Sequence, residues 1–444
     1  MRAIKYMVMV FAFFIFIAAM LIRIVILILA MHGCIRITMY DISIYADSGK
    51  KLVEALVKGD LRAAAGVNVG TPPLGMLLTG LSIMTFGGLF GDIVASMIPQ
   101  IISSSLTVIP IYLIARRYSE KAGLIASIIY TLDPYLVQYA YTYLDPIGTL
   151  LALAAALFLI DKKPRKRNLL LSGILLGLAS LTKLTFIIYA AIFTLMLGIY
   201  RLGRRSLLIW ATSLPMLLLI PWLWFPDARL KAVEHHLSFN SYLPVVFVGP
   251  ELIGIPQAHA WYILSYIGMG QVFWNTLPFI TPLILLLIII HKSLRRELSL
   301  PLMPSITTSS MILTIFFLPR NYWTYSWGGG VVQGILSRQF YPYYFYPTGP
   351  FLAILTAALI AGSDIAGIKN RIVSYPLFMA VLISPLAVVM NLGLPYWDFL
   401  FTLIYSSAQG SWIVEGTIAT AITTTILIVS ITVTEFLHRR LNIL

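Results

Sequence analysis

The residues best suited to chemistry in this chain are a few acids and bases set among long apolar runs. Asp41 closely follows the first of these runs, which places it near a membrane surface. A carboxylate there can take a proton from a hydroxyl nucleophile or hold a metal ion; it can equally be a solvated loop residue or a helix cap. Asp145 opens a later apolar run, with Pro146 at its first helical position. An ionisable group at membrane depth is costly, so Asp145 is a candidate functional acid, with an interfacial cap as the alternative. The two together can form a carboxylate pair, one activating an acceptor hydroxyl and the other orienting it or holding a divalent metal ion. Lys183 lies in the outer half of a helical hairpin, where its amine can snorkel to the headgroup region. Arg320 and Arg338 flank a later outer loop, and guanidinium groups suit phosphate oxygens through paired hydrogen bonds. Arg23 stands inside the first apolar run; it is expected to face the bundle and pair with an acid or a backbone carbonyl.

These groups must be positioned by helices in lipid. The chain has 444 residues, 59% of them hydrophobic and only 11% charged. A soluble domain cannot hide so much apolar surface, and runs of roughly 20 apolar residues recur along the whole length. The expected class is all-α and polytopic, with about twelve transmembrane helices. The first run, Met7 to Ala30, is too long for a signal h-region and is read as a retained anchor. The formal net charge of +14 reports topology, because Lys and Arg are retained on the cytoplasmic side. No solvated basic face is visible for nucleic acid. One cysteine, Cys34, excludes an intramolecular disulfide and a thiolate metal site. His235, His236 and His259 lack the spacing of a metal site.

Counting crossings from a cytoplasmic N-terminus, helix 1 covers 7–31 and leads to an outer segment, 32–90. That segment holds a mixed polar and apolar helix at 44–58. It also holds an apolar helix at 72–88, opened by Pro72 and Pro73 and lying along the outer face or dipping partway in. Further helices are expected near 91–115, 120–138, 143–160, two over 168–200, then 206–224, 274–291, 300–318, one ending before Lys369, 373–392 and 414–434. Outer loops fall at 225–273 and 319–346. Every dense basic cluster, including Arg116-Arg117, Lys162–Arg167 and Arg201–Arg205, then lands on one side. The chain divides into a 1–224 module and a 225–444 region.

In this order the pattern resembles the GT-C membrane glycosyltransferases, in particular the protein O-mannosyltransferase and aminoarabinose transferase group. Asp41, Tyr45, Gly59 and Pro72-Pro73-Leu74 follow that group's first outer loop. Pro134 with Asp145, Gly177-Leu178-Ala179 with Thr182-Lys183, and Ser337-Arg338 with Tyr343, Tyr344, Pro347 and Pro350 resemble its later segments. The sequence departs from the group where Ile42 replaces a second acid and where Tyr141 stands in place of an Arg. The spacing from Asp41 to Gly59 is a few residues long, which leaves Asp47 as the alternative equivalent of Asp41.

The resemblance implies transfer of a hexose, most simply mannose, from a polyprenyl-phosphate donor to a hydroxyl of a protein or lipid glycan. The expected step is a single inverting displacement on the outer face of a plasma membrane, in a prokaryote, with both termini cytoplasmic. It implies Asp41 or Asp47 as base with Asp145 assisting, and a possible divalent metal ion on Asp41 and Asp145. Lys183, Arg338 and Arg320 would meet the departing phosphate. Tyr45, Pro72, Pro73, Tyr343 and Tyr344 would line the cavity, with membrane lipids around it. A transporter or lipid flippase is the rival class and needs charges along a path near the bilayer midplane, whereas these acids gather at one face. A non-catalytic scaffold is the third.

Overall fold

The computed structural model describes residues 2–31, 42–67, 71–133, 136–137, 139–141, 144–161, 163–183, 185–231, 281, 285, 288, 302–317 and 346–361. Among these the regular structure is entirely helical. The helices are α1 (Arg2–Met31), α2 (Ile42–Val57), α3 (Leu61–Gly66), α4 (Pro73–Phe90), α5 (Asp92–Leu106), α6 (Val108–Ala115) and α7 (Glu120–Leu132). There follow α8 (Asp145–Phe158), α9 (Lys166–Ser180), α10 (Thr185–Leu197), α11 (Leu207–Met216), α12 (Leu302–Phe317) and α13 (Thr348–Ile360). Of the helix expected over 274–291 only Thr281, Leu285 and Ile288 are described; those expected over 373–392 and 414–434, and both long outer loops, lie almost wholly outside the described residues.

Local chemistry explains most boundaries. Gly59 turns the chain at φ 72° after α2, and Asp60 caps α3 by accepting from the Ala63 amide at 2.9 Å. Ser119 caps α7 through the Ala122 amide. That helix ends at Asp133, earlier than expected, because a residue before proline is held out of the helical region. The helix expected over 91–115 is two, α5 and α6, parted at Thr107. Pro110 has no amide for the Leu106 carbonyl and its ring crowds it, which accounts for the break.

Gly91, at φ 80°, folds α4 back on α5 as an antiparallel hairpin. Gln100 Nε2 donates to Thr79 Oγ1 and Ser82 Oγ to the Ala95 carbonyl across it. Helix α2 crosses α4 with backbones in contact: a Cβ on Gly49 would lie 2.8 Å from the Met76 carbonyl oxygen and 2.9 Å from the Gly80 nitrogen. Small residues permit such close approach where lipid offers no hydrophobic drive.

Three helical stretches are long and apolar enough to cross a membrane: Pro73–Phe90, Asp92–Ala115 and Thr185–Leu219. The first is the helix expected to lie along the outer face. Its start is level with the α5–α6 break rather than with the far end of α6, since Thr79 meets Gln100 and Ser82 meets Ala95.

The basic loops meet at one end of the bundle. Arg117 pairs with Asp161 at 3.4 Å, Arg201 donates to the carbonyls of Leu159 and Ile160, and Arg205 donates to that of Pro164. At the core, α7 to α10 pack with α12 and α13 into one cluster that includes Tyr130, Phe186, Tyr189, Phe193, Met311 and Phe351. The described part of 225–444 therefore shares the core of the first half.

Candidate active site

Helices α8, α9 and α10 run between the basic end and the opposite end, so residues 145 and 183 are both carried away from the arginines. Three chain segments converge there: the start of α4, the start of α8 and the break between α9 and α10. The Leu74 amide donates to the Leu181 carbonyl at 2.8 Å, which docks the Pro72-Pro73 turn on the break. Pro72 is buried and Pro73 half-buried. A Cβ on Gly75 would stand 2.7 Å from Leu144 Cδ1, and Gly148 lies flat against Thr182 and the Phe186 ring. At both positions a side chain would have to displace its neighbour, because the facing element occupies that space.

At this junction Lys183 Nζ donates to Asp145 Oδ2 at 2.6 Å, with side-chain exposures of 11% and 2%. The lysine does not snorkel to the surface; it is held inside by a carboxylate. Such a pair gains little net stability against its desolvation, but losing one partner leaves an uncompensated buried charge. Asp145 Oδ1 and, one turn on, Thr149 Oγ1 are buried and have no hydrogen-bond partner among the described residues. Two acceptors on one face of α8 are thus open to a donor.

Tyr45 on α2 packs against the cluster of Leu52, Ala55, Met76 and Leu144, beside the residue that precedes Asp145. Asp47 lies about 200° around α2 from Tyr45. It is exposed and paired with Lys51 at 2.6 Å. The structure thus brings together Tyr45, Pro72, Pro73, Asp145 and Lys183, and sets Asp47 on the opposite face of its helix. Asp41, Arg320, Arg338, Tyr343 and Tyr344 lie outside the described residues. Among the described residues no three His, Cys, Asp or Glu side chains stand together as a metal site. At Asp145 an ammonium already takes one carboxylate oxygen, a donor set that does not fit a divalent ion.

A second polar group lies level with this junction. Arg23 is fully buried on α1, and its Nη1 donates to the Ala19 carbonyl, one of the two partners expected for it. Its guanidinium stands 5.1 Å from the centroid of the Tyr130 ring. Tyr130 gives its hydroxyl proton to the Ser104 carbonyl and shares a 2.8 Å hydrogen bond with Tyr346. Tyr141, at the position of the missing arginine, donates to the Arg23 carbonyl at 2.6 Å.

Sequence reasoning missed Asp133, which is fully buried and accepts from the Thr281 amide and hydroxyl at 3.0 and 2.6 Å. The signal was the Asp133-Pro134 pair, an acid at a helix end forced by proline.

Residues 70–225 match the family model described as Dolichyl-phosphate-mannose-protein mannosyltransferase. No curated protein sequence matches the chain. Among solved structures, the chain is similar to ArnT from Cupriavidus metallidurans bound to undecaprenyl phosphate: identity 15%, coverage 98% of this chain and 77% of that one, TM-score 0.47. It is also similar to the apo oligosaccharyltransferase of Archaeoglobus fulgidus: identity 11%, coverage 90% and 59%, TM-score 0.40.

Proposed function

We propose, from the match of residues 70–225 to the dolichyl-phosphate-mannose-protein mannosyltransferase family model, that this chain is a membrane glycosyltransferase of the GT-C type with a polyprenyl-phosphate-linked donor. One observation carries the reading: the matched segment folds so that Pro72, Asp145 and Lys183 share a buried junction at the end away from the basic loops. The sugar is a hexose, most simply mannose, and the acceptor is a hydroxyl of a protein or lipid glycan. The junction faces the outside of a prokaryotic plasma membrane, with both termini cytoplasmic.

Asp41 immediately precedes α2 and stands four residues before Tyr45, which faces the junction. It is the general base, with Asp47 the alternative. The acceptor oxygen bonds to the anomeric carbon on the side opposite the phosphate as the bond from that carbon to the phosphate oxygen breaks. The proton passes to the carboxylate, the electron pair leaves on the polyprenyl phosphate, and the configuration inverts. Lys183, with Arg338 and Arg320 from the later loop, takes up the developing phosphate charge. Asp145 keeps Lys183 charged and aimed; its role is to position the lysine. Tyr45, Pro72 and Pro73 wall the cavity, and Tyr343 and Tyr344 close it from the later loop. A divalent ion, if the reaction uses one, rests on Asp41.

The test is purified protein in proteoliposomes supplied with radiolabelled mannosyl polyprenyl phosphate and a hydroxyl acceptor. Label is expected in a covalent product. Label that crosses the bilayer without a covalent product makes the protein a transporter or flippase, and neither outcome leaves a scaffold.

A further inference from the structure

Arg23 is the one charged residue between Met7 and Met31 of α1, and this mechanism leaves it unused. It stands about two turns from the C-terminal end of α1, the end that leads to Asp41. It is 0% exposed. A buried guanidinium without a counter-charge is costly in any protein and more so among transmembrane helices. Among the described residues its surroundings hold the group in place without neutralising it. Nη1 is tied to the Ala19 carbonyl, the face lies on Tyr130, and Tyr141 fixes the Arg23 backbone. Among the described residues the Nε and Nη2 atoms have no hydrogen-bond partner.

Which two nitrogens are free matters. Nε–H and Nη2–H point the same way along one edge of the guanidinium plane, the edge that grips two oxygens of one carboxylate or phosphate in parallel. The anchored Nη1 is the atom such a grip does not need. Arg23 belongs to the same neighbourhood as the Asp145–Lys183 junction, because Tyr141, four residues before Asp145, donates to the Arg23 carbonyl at 2.6 Å. Asp145 gives one carboxylate oxygen to Lys183, and its other oxygen makes no hydrogen bond to Arg23, so the two groups are not a pair in this structure.

We infer that Arg23 is a buried oxyanion seat that grips two oxygens of a phosphate group between α1 and α7, with Tyr130 and Tyr346 holding its plane. Resting on the transferase reading, the phosphate is that of the polyprenyl carrier; inorganic phosphate is the other source of the same chemistry.

The test uses full-length protein in nanodiscs, with undecaprenyl phosphate, the matching alcohol without phosphate, and inorganic phosphate as probes. Wild-type protein is expected to melt at a higher temperature with undecaprenyl phosphate and not with the alcohol. Arg23→Gln and Arg23→Lys are each expected to weaken binding on the order of tenfold or more. Arg23→Lys keeps the charge and the stem but loses the two-point edge, so it decides the matter if Arg23→Gln does not fold. Competition by inorganic phosphate that is lost in Arg23→Lys upholds the seat and shows that the head group suffices. Weakened lipid binding without such competition upholds it with the lipid as the source. An Arg23→Lys protein that binds the lipid like wild type overturns the inference, even if its basal melting temperature falls, since a merely structural arginine would behave that way. Wild-type protein that binds inorganic phosphate through Arg23 but not the lipid removes the donor assignment and leaves the seat; binding of neither removes both.

Discussion

At the scale of single residues, two candidate carboxylates have opposite environments. Asp145 is buried against Lys183, whereas Asp47 is exposed and paired with Lys51. Neutralising one member of the buried pair, by Asp145→Asn or Lys183→Met, is expected to cost about 3–5 kcal/mol, because the other charge is left without compensation. The double variant Asp145→Asn with Lys183→Met is expected to regain much of that loss. Thermal unfolding in detergent, compared across the four proteins, measures it; equal losses in the single and double variants would contradict a coupled pair. The exposed pair predicts the reverse. Asp47→Asn is expected to change stability by less than about 1 kcal/mol and to leave sugar transfer near wild type. Asp41→Asn is expected to lower transfer by on the order of 100-fold or more, as loss of a general base does. Single-turnover transfer assays separate the two, and a collapse in Asp47→Asn alone would move the base to α2.

Among the elements, the contact between α2 and α4 fixes where the segment following Asp41 is held. A Cβ on Gly80 would run into the backbone of Gly49, and backbone cannot rotate out of the way. Gly80→Ala is therefore expected to destabilise by about 1–3 kcal/mol and to lower transfer, although Gly80 touches no proposed catalytic group. Gly88→Ala on the same helix is the control: nothing lies within 4 Å of its added Cβ. It is expected to be neutral or slightly stabilising. Melting temperature and transfer rate read together would expose a wrong packing if the two variants behaved alike. The α2 helix is also tied to α5 by an exposed Lys50–Asp92 pair at 3.0 Å. The Asp92 hydrogen bond and charge raise the Lys50 ammonium above its usual range, so it stays protonated at any physiological pH.

For the whole molecule, charge is sorted by end. The 116–118, 161–164 and 201–205 loops interlock at one end, and the Asp145–Lys183 junction lies at the other. Cysteines placed singly at Lys163 and Arg204 of a Cys34→Ser protein are expected to react with membrane-impermeant reagents only from the cytoplasmic side. Labelling of either from outside would invert the topology and with it the site. Transfer is expected to persist after EDTA treatment, because the Lys183 ammonium already occupies the cation's place beside Asp145. Loss restored by magnesium or manganese would assign a metal to Asp41.

The chain's own order of residues determined its membrane character, the positions of most described helices, the shared side of the basic loops and the candidacy of Asp145 and Lys183. These follow from patterns repeated within a helix length, and composition or spacing records them directly. Proline and glycine signals at Pro110, Gly91 and Asp133-Pro134 were also present, though their consequences, a broken helix and a folded-back hairpin, emerged only in three dimensions. Tertiary structure alone decided that Lys183 closes on Asp145 across 38 residues and that Tyr130 meets Tyr346 across 216. It also decided that Arg23 keeps one edge free of the other described residues while Asp47 turns outward. Contacts between distant segments depend on which helix faces pack and at what level, and a local periodicity says that a face is apolar without saying which partner will cover it.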